Sequence, residues 1–232
     1  MKIRIFLVAL ILTAQIAGIF CASRAREREW QNNPTFRLKC ISYDPRDLLR
    51  GHYLPLRFEI ENAGVPFSKF DTIAQKQLRE ALADDIDELF KSESKERYVS
   101  LLHHQELWAI LAPNGNTGIW EIENVVTQDP GIDFNTNPQG RKIALKARFG
   151  YGFRLKKTGQ NPEDFFTAGS PVEIKPQLEF NFPNRRFYLS EEKAKRFDRE
   201  FGNDMNRVSV ELFFRDDGTL IPKRILVDGK EY

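Results

Sequence analysis

Ile143, Leu145, Ala147, Phe149, Tyr151, Phe153 and Leu155 share one parity of a single run, with basic and small residues between them. A period of two puts such residues on one face of a β-strand, and that face needs a core to pack on. Shorter stretches of the same kind run from Phe36 to Tyr43, Glu106 to Leu111, Ile119 to Val125, Leu178 to Phe182, Phe187 to Leu189, Val208 to Leu212 and Leu220 to Val227. Turn formers punctuate them at Asp44-Pro45, at Pro113-Asn114-Gly115-Asn116-Thr117-Gly118 and at Asp216-Asp217-Gly218, while 127–140 and 156–176 read as loops. Short strands at this spacing predict a mainly β, β-rich α+β fold, built as an antiparallel sandwich or barrel. Hydrophobic residues at 41%, with 19 Phe, are enough to fill its core.

Two stretches follow a helical period instead. Leu78, Leu82, Ile86 and Leu89, with Phe70, Ile73 and Phe90 nearby, form an apolar stripe opposite charged residues. This predicts one long helix within 68–91, capped by Ser68 or Asp71, with its stripe packed on the core in preference to a partner groove. A short second helix follows Ser190, with Glu191 and Glu192 in its first turn and Gly202 at its end.

The N-terminus differs from everything after it. Ile5 to Ala22 is 18 residues without a charge, with Thr13 and Gln15 as its strongly polar members. A helix crosses a bilayer with about 17–25 such residues, so an N-terminal transmembrane signal-anchor is expected over 1–23, followed by a juxtamembrane linker over 24–35. A cleaved signal peptide has the same look, but Cys21-Ala22-Ser23 is a poor cleavage site. Phe20 before Cys21 disfavours lipidation. Lys2 and Arg4 stand at one end of the run and Arg24, Arg26 and Arg28 at the other, so charge alone does not orient it. Residues 1–30 hold five basic and two acidic side chains, which leaves about −1 of the +2 net charge for the remainder. That balance lacks the basic footprint of a nucleic-acid binder.

Shortly after the linker stands Arg50-Gly51-His52-Tyr53-Leu54-Pro55-Leu56-Arg57-Phe58, preceded by Asp44-Pro45-Arg46-Asp47-Leu48-Leu49. Alternation predicts a strand with Leu54, Leu56, Phe58 and Ile60 on one face and Tyr53, Arg57 and Glu59 on the other. Pro55 cannot donate to a ladder, so this strand belongs at an edge or carries a bulge. On the plain reading Gly51 bends the chain while Leu56 and Phe58 enter the core; on the functional one Tyr53 lines a ligand or partner site. The segment resembles the family of membrane-anchored bacterial proteins named for a Gly-Asp-Tyr-Xaa-Xaa-Leu-Xaa-Tyr motif. Phe187-Tyr188-Leu189-Ser190-Glu191-Glu192 and Val227-Asp228-Gly229-Lys230 resemble two further blocks of that family. The resemblance covers residues 36–232, with 68–97 standing out as a helical insertion. His52 stands where the family motif has Asp, and Phe58 where it has Tyr. The resemblance implies an inner-membrane protein with an extracytoplasmic domain, partnered by a multi-spanning membrane protein. It brings no established chemistry.

The residues offer no coherent catalytic or metal-binding set. The histidines are His52, His103 and His104, and adjacent strand residues point to opposite faces, so no metal site is expected. Asp129 and Asp133 read as a solvated turn, and no cofactor is implied. There is no Gly-Xaa-Ser-Xaa-Gly, and Gly150-Tyr151-Gly152 reads as a bulge or corner within a β pattern. Cys40 is the only thiol beyond the apolar run, so no disulfide staples the domain. Arg185, Arg186, Lys193, Lys195 and Arg196 read as a solvated face before an anionic lipid or partner site. Trp108, Trp120 and Tyr188 read as core or hairpin residues before a carbohydrate platform. The expected role is an accessory or partner-binding subunit of a membrane assembly. The competing expectation is an envelope hydrolase or a small-ligand or glycan-binding domain, with Arg57 and Glu59 joining His52 and Tyr53 in a pocket at the motif strand.

Overall fold

The computed structural model describes residues 2–41, 53–93, 96–99, 106–131, 142–150, 153–157, 172–182, 185–201, 205–215 and 219–232. The first helix, α1 (Lys2–Asn32), is 31 residues long. It runs through the stretch expected to be a linker. Ala, Arg and Glu after Ala22 favour helix, and the first breaker is Pro34, beside which Asn33 still donates to the Glu29 carbonyl at 3.0 Å. Among the residues described, no helix is long and apolar enough to cross a membrane.

The C-terminal hairpin forms the middle of the first sheet. Strand β11 (Val208–Phe214) lies between β1 (Thr35–Lys39) and β12 (Leu220–Val227), and β13 (Lys230–Glu231) completes the order β1-β11-β12-β13. All pairings are antiparallel, with Phe36 opposite Leu212 and Leu38 opposite Val210. A second four-stranded antiparallel sheet has the order β5-β4-β6-β9, from β4 (Leu107–Pro113), β5 (Trp120–Val126), β6 (Ile143–Phe149) and β9 (Leu178–Phe180). The hairpin expected around Pro113 to Gly118 joins β4 to β5, and Gly118 takes the left-handed conformation there, with φ 66°. Two smaller sheets hold β3 (Glu96–Val99), β7 (Phe153–Lys157) and β8 (Val172–Ile174), and β2 (Tyr53–Pro55) with β10 (Arg186–Tyr188).

The long alternating run is therefore not one strand. It splits at Gly150 into β6 and β7, which belong to different sheets. The Gly150 amide donates to the Gln177 carbonyl at 2.8 Å, and a Cβ on Gly150 would stand 3.2 Å from that oxygen. No sheet closes into a barrel among the described residues. Helix and strand are about equally represented, so the fold is α+β and not mainly β; the length of α1 accounts for much of the difference.

One continuous core collects side chains from both four-stranded sheets, the motif segment and the long helix. That helix, α3 (Thr72–Lys91), buries Ala74, Leu78, Leu82, Ile86 and Leu89 as the spacing predicts, while Ile73 falls outside the stripe and is exposed. Asp71 caps it: one carboxylate oxygen accepts from the Ala74 amide at 2.7 Å, and the other accepts from the Thr127 amide and hydroxyl at 2.8 and 3.0 Å. The cap thus ties α3 to the end of β5 at the open edge of the sheet, where the Asp71 amide also bonds the Val125 carbonyl at 2.8 Å.

The outer face of the first sheet carries a row of alternating charge, Arg37 opposite Glu211 and Glu211 opposite Arg224. Glu211 is buried, ion-paired with Arg224, and accepts from the Thr35 hydroxyl at 2.6 Å. Burial pushes its carboxyl up, but hydrogen bonds from Arg224 and Thr35 and the charges of Arg224 and Arg37 outweigh that, holding it below the ordinary glutamate range. A folded-state pKa below the unfolded value adds stability that is complete above about 4.3, the ordinary glutamate value, and is lost as pH falls through the lower folded value.

Two outcomes are expected. Asp71→Ala, which removes the cap and the Thr127 bonds together, lowers unfolding free energy by about 1–2 kcal/mol in urea melts. Glu211→Gln is destabilised at neutral pH, and its deficit against the parent narrows in melts below about pH 4.

Candidate functional site

The motif segment reaches the core through β1. The Cys40 amide bonds the Val208 carbonyl at 2.9 Å, extending β1 by one residue, and Cys40 then bridges to Phe58. The Ile41 amide bonds the Arg57 carbonyl at 3.0 Å. On the other side β2 pairs with β10, Tyr53 opposite Tyr188 and Pro55 opposite Arg186. In this two-stranded ribbon Pro55 sits in an edge strand, as its missing donor requires.

The strand is shorter than the alternation suggests. It ends at Pro55, and the chain turns at Phe58 into the single helical turn α2 (Glu59–Asn62). Leu54, Leu56, Phe58 and Ile60 are all buried nonetheless, with Phe58 fully enclosed and its ring 4.9 Å from that of Phe182. A helical turn can continue an inward parity that a strand began, because Ile60 is then placed by α2 and not by a pleat. Glu61, three residues after Phe58, reaches back to accept from the Phe58 amide at 3.2 Å. Gly64 follows where the chain passes Lys175; a Cβ there would meet the Lys175 carbonyl at 2.7 Å.

Beside this segment the described residues form an open polar cleft of about 890 Å³ between α2, β6 and β9. Arg57 and Arg185 line it from the motif side, Lys146 and Arg148 from β6 and Glu179 from β9. Arg185 grips Glu61 through both terminal nitrogens, at 2.7 and 3.1 Å, and also donates to the Phe180 carbonyl at 3.1 Å. Arg148 meets Glu179 across the β6–β9 pair at 2.9 Å. Lys146 is held more loosely, 3.5 Å from Glu106 and over the Trp108 ring.

The sequence-nominated residues therefore part company. Gly51 and His52 lie outside the described residues, as do His103, His104 and Asp133; of Tyr53 only the backbone pairing is described. Arg57 lines the cleft, while Glu59 pairs with Lys39 at 3.1 Å and lines a separate, smaller pocket of about 250 Å³ beside Trp120. Leu56 and Phe58 are core. Glu61, Arg148 and Glu179 carried no signal in the sequence beyond being charged; Arg185 did, as part of a basic group read as a solvated face. In that group Lys195 and Arg196 do pair along their own helix, α4 (Glu191–Phe201), with Glu191 and Glu200. Cys40 is buried and its thiol is pushed up to about 12 by desolvation, which makes it an inert packing group.

The family model of the GDYXXLXY protein matches residues 15–225, which takes in the last part of α1 and nearly the whole fold. The chain belongs to this family. No curated protein and no solved structure matches it. Within the GDYXXLXY fold as this chain builds it, the Leu and final aromatic of the motif, Leu56 and Phe58, are packing positions, and the residue between them, Arg57, is the one that faces solvent.

Phe58→Ala is expected to destabilise the protein by about 3–5 kcal/mol in denaturant melts, the cost of an unfilled cavity at an enclosed aromatic. Arg57→Gln, at an exposed side chain, is expected to cost no more than about 1 kcal/mol in the same measurement.

Proposed function

We propose that this GDYXXLXY protein is a single-pass, inner-membrane-anchored envelope protein that serves as an accessory or partner-binding subunit of a membrane assembly. The observation that carries the reading is the surface of α1. Leu10, Ile11, Leu12, Ile16, Ile19 and Phe20 are all at least 53% exposed, and they lie within the uncharged run from Ile5 to Ala22. A helix apolar on every side needs an apolar surrounding, and hydrocarbon supplies one. The resemblance to membrane-anchored relatives supports an extracytoplasmic domain and a multi-spanning partner. The contact of Phe36 on β1 with Trp120 on β5, ring centres 5.8 Å apart, supports reading the two four-stranded sheets as leaves of a sandwich.

A second reading, a small-ligand or glycan-binding domain or an envelope hydrolase, is favoured by the cleft beside the motif. Convergent charged and amide groups around a concave site are what such a ligand requires.

Purification of the C-terminally tagged protein from native membranes in mild detergent, followed by mass spectrometry, tests the first reading. A stoichiometric multi-spanning membrane protein is expected to co-purify, and the protein is expected to resist carbonate extraction. Release by carbonate, or recovery of the protein alone, overturns it.

A further inference from the structure

We infer that the cleft beside the motif is a binding site for an oxyanion, a carboxylate or a phosphate borne by a small envelope solute, with Arg57, Arg148 and Arg185 as its recognising groups. The inference rests on the ligand-pocket reading above and names its ligand class. The three guanidiniums come from separate parts of the chain, the motif segment, β6 and the approach to β10, and all line one concavity.

The carboxylate partners of Arg185 and Arg148 lie deeper than the arginines do. The Glu61 side chain is 13% exposed against 44% for Arg185, and Glu179 is 34% exposed against 52% for Arg148. Glu61 is further committed to the Phe58 amide, and Arg185 to the Phe180 carbonyl. Glu61 and Glu179 therefore hold Arg185 and Arg148 in place from below, and at these two pairs the guanidinium is the more exposed group. Arginines fixed in this way have already lost much of their side-chain freedom, so a ligand anion meets them pre-organised. A planar guanidinium suits carboxylate and phosphate oxygens equally, which is why the class is the oxyanion and not one of its sources. Amide side chains at Asn62, Gln177 and Asn181 add donors and acceptors around the same space.

The site also stands away from α1. Trp30 and Asn33 at the helix end contact Phe213 and the Phe214 carbonyl, whereas Ile41, which lines the cleft, lies past the far end of β1, about 20 Å along the strand. On the proposed anchoring this distance keeps it clear of the bilayer surface.

Thermal unfolding of the full chain in detergent, at constant ionic strength set by sodium chloride, tests the inference with sodium citrate, sodium phosphate and maltotriose as probes. Citrate or phosphate is expected to raise Tm in a saturable way, and which is stronger identifies the source of the oxyanion. In the double variant Arg57→Gln/Arg148→Gln the apparent affinity is expected to fall tenfold or more, while Arg207→Gln, whose partner is Asp228, leaves it unchanged. Hydrogen exchange of the unmutated protein with the stronger anion gives an independent readout, with protection expected at 146–148 and 178–181. Saturable binding of maltotriose without the anions overturns the ligand class and leaves the pocket reading standing. Binding of none of the probes overturns both. Anion binding that survives the double variant undiminished, or protection elsewhere, overturns the site.

Discussion

Strand β11 is buried on both faces from Val208 to Phe213, and the arrangement of the rest follows from covering it. Its inner residues, Val208, Val210 and Leu212, join the core; its outer ones, Ser209, Glu211 and Phe213, need cover of a different kind. Trp30 at the end of α1 meets Phe213 edge-on at 5.6 Å, and the row of Arg37, Glu211 and Arg224 closes over the middle. A buried carboxylate is tolerated only where donors replace its water, and Arg224 and the Thr35 hydroxyl are those donors. Because β1 must pair along β11, its continuation delivers Cys40 to Phe58, and with it the motif segment, to one fixed place. The cleft is thus a consequence of β11's burial at several removes.

This order of dependence gives the family motif a physical meaning. Leu56 and Phe58 are spaced by two so that both enter the core while Arg57 between them stays outside. Pro55 ends the ribbon with β10, and the Glu61 carboxylate then serves two masters, the Phe58 amide and the Arg185 guanidinium. One acidic residue thereby couples the turn after the motif to the strand that pairs with it. Packing and recognition are not alternatives here: the buried members of the segment fix the position of the exposed one.

Much of this was legible in the sequence, and the failures have specific causes. The stripe of α3, the Asp71 cap, the Pro113–Gly118 turn and the inward parity of Leu54 to Ile60 all follow from local spacing, and all are present. Three features depend on what the chain meets at a distance. The run from Ile143 to Leu155 keeps a single parity across two sheets, because alternation records which side faces inward and not which sheet a residue joins. The polar residues Ser209 and Glu211 on the outer face of β11 give no local sign that this face is covered by α1 and by its neighbours' long side chains. The pocket expected to join Arg57 and Glu59 is divided, since a strand that stops at Pro55 and coils into α2 no longer holds those two side chains on one face. Arg148 and Arg185 are 37 residues apart and become neighbours of one cleft only through the β6–β9 pairing and the return of the chain to β2.

The continuity of α1 constrains what any partner must do. With no break between Ala22 and Asn32, and with Trp30, Asn33 and Glu29 tied to Phe213, Phe214 and Arg215, the helix is not a tether on which a domain could swing. On the proposed anchoring, the stretch from Ala22 to Asn32 spans about 15 Å and β1 with its extension about 20 Å more, so the cleft stands no more than about 35 Å from the hydrocarbon boundary. A flexible linker would let the domain search for its partner; a rigid stalk presents one face at one height. A multi-spanning protein that engages it has to bring a complementary surface up to that height, and a solute bound in the cleft would be held within reach of the same surface.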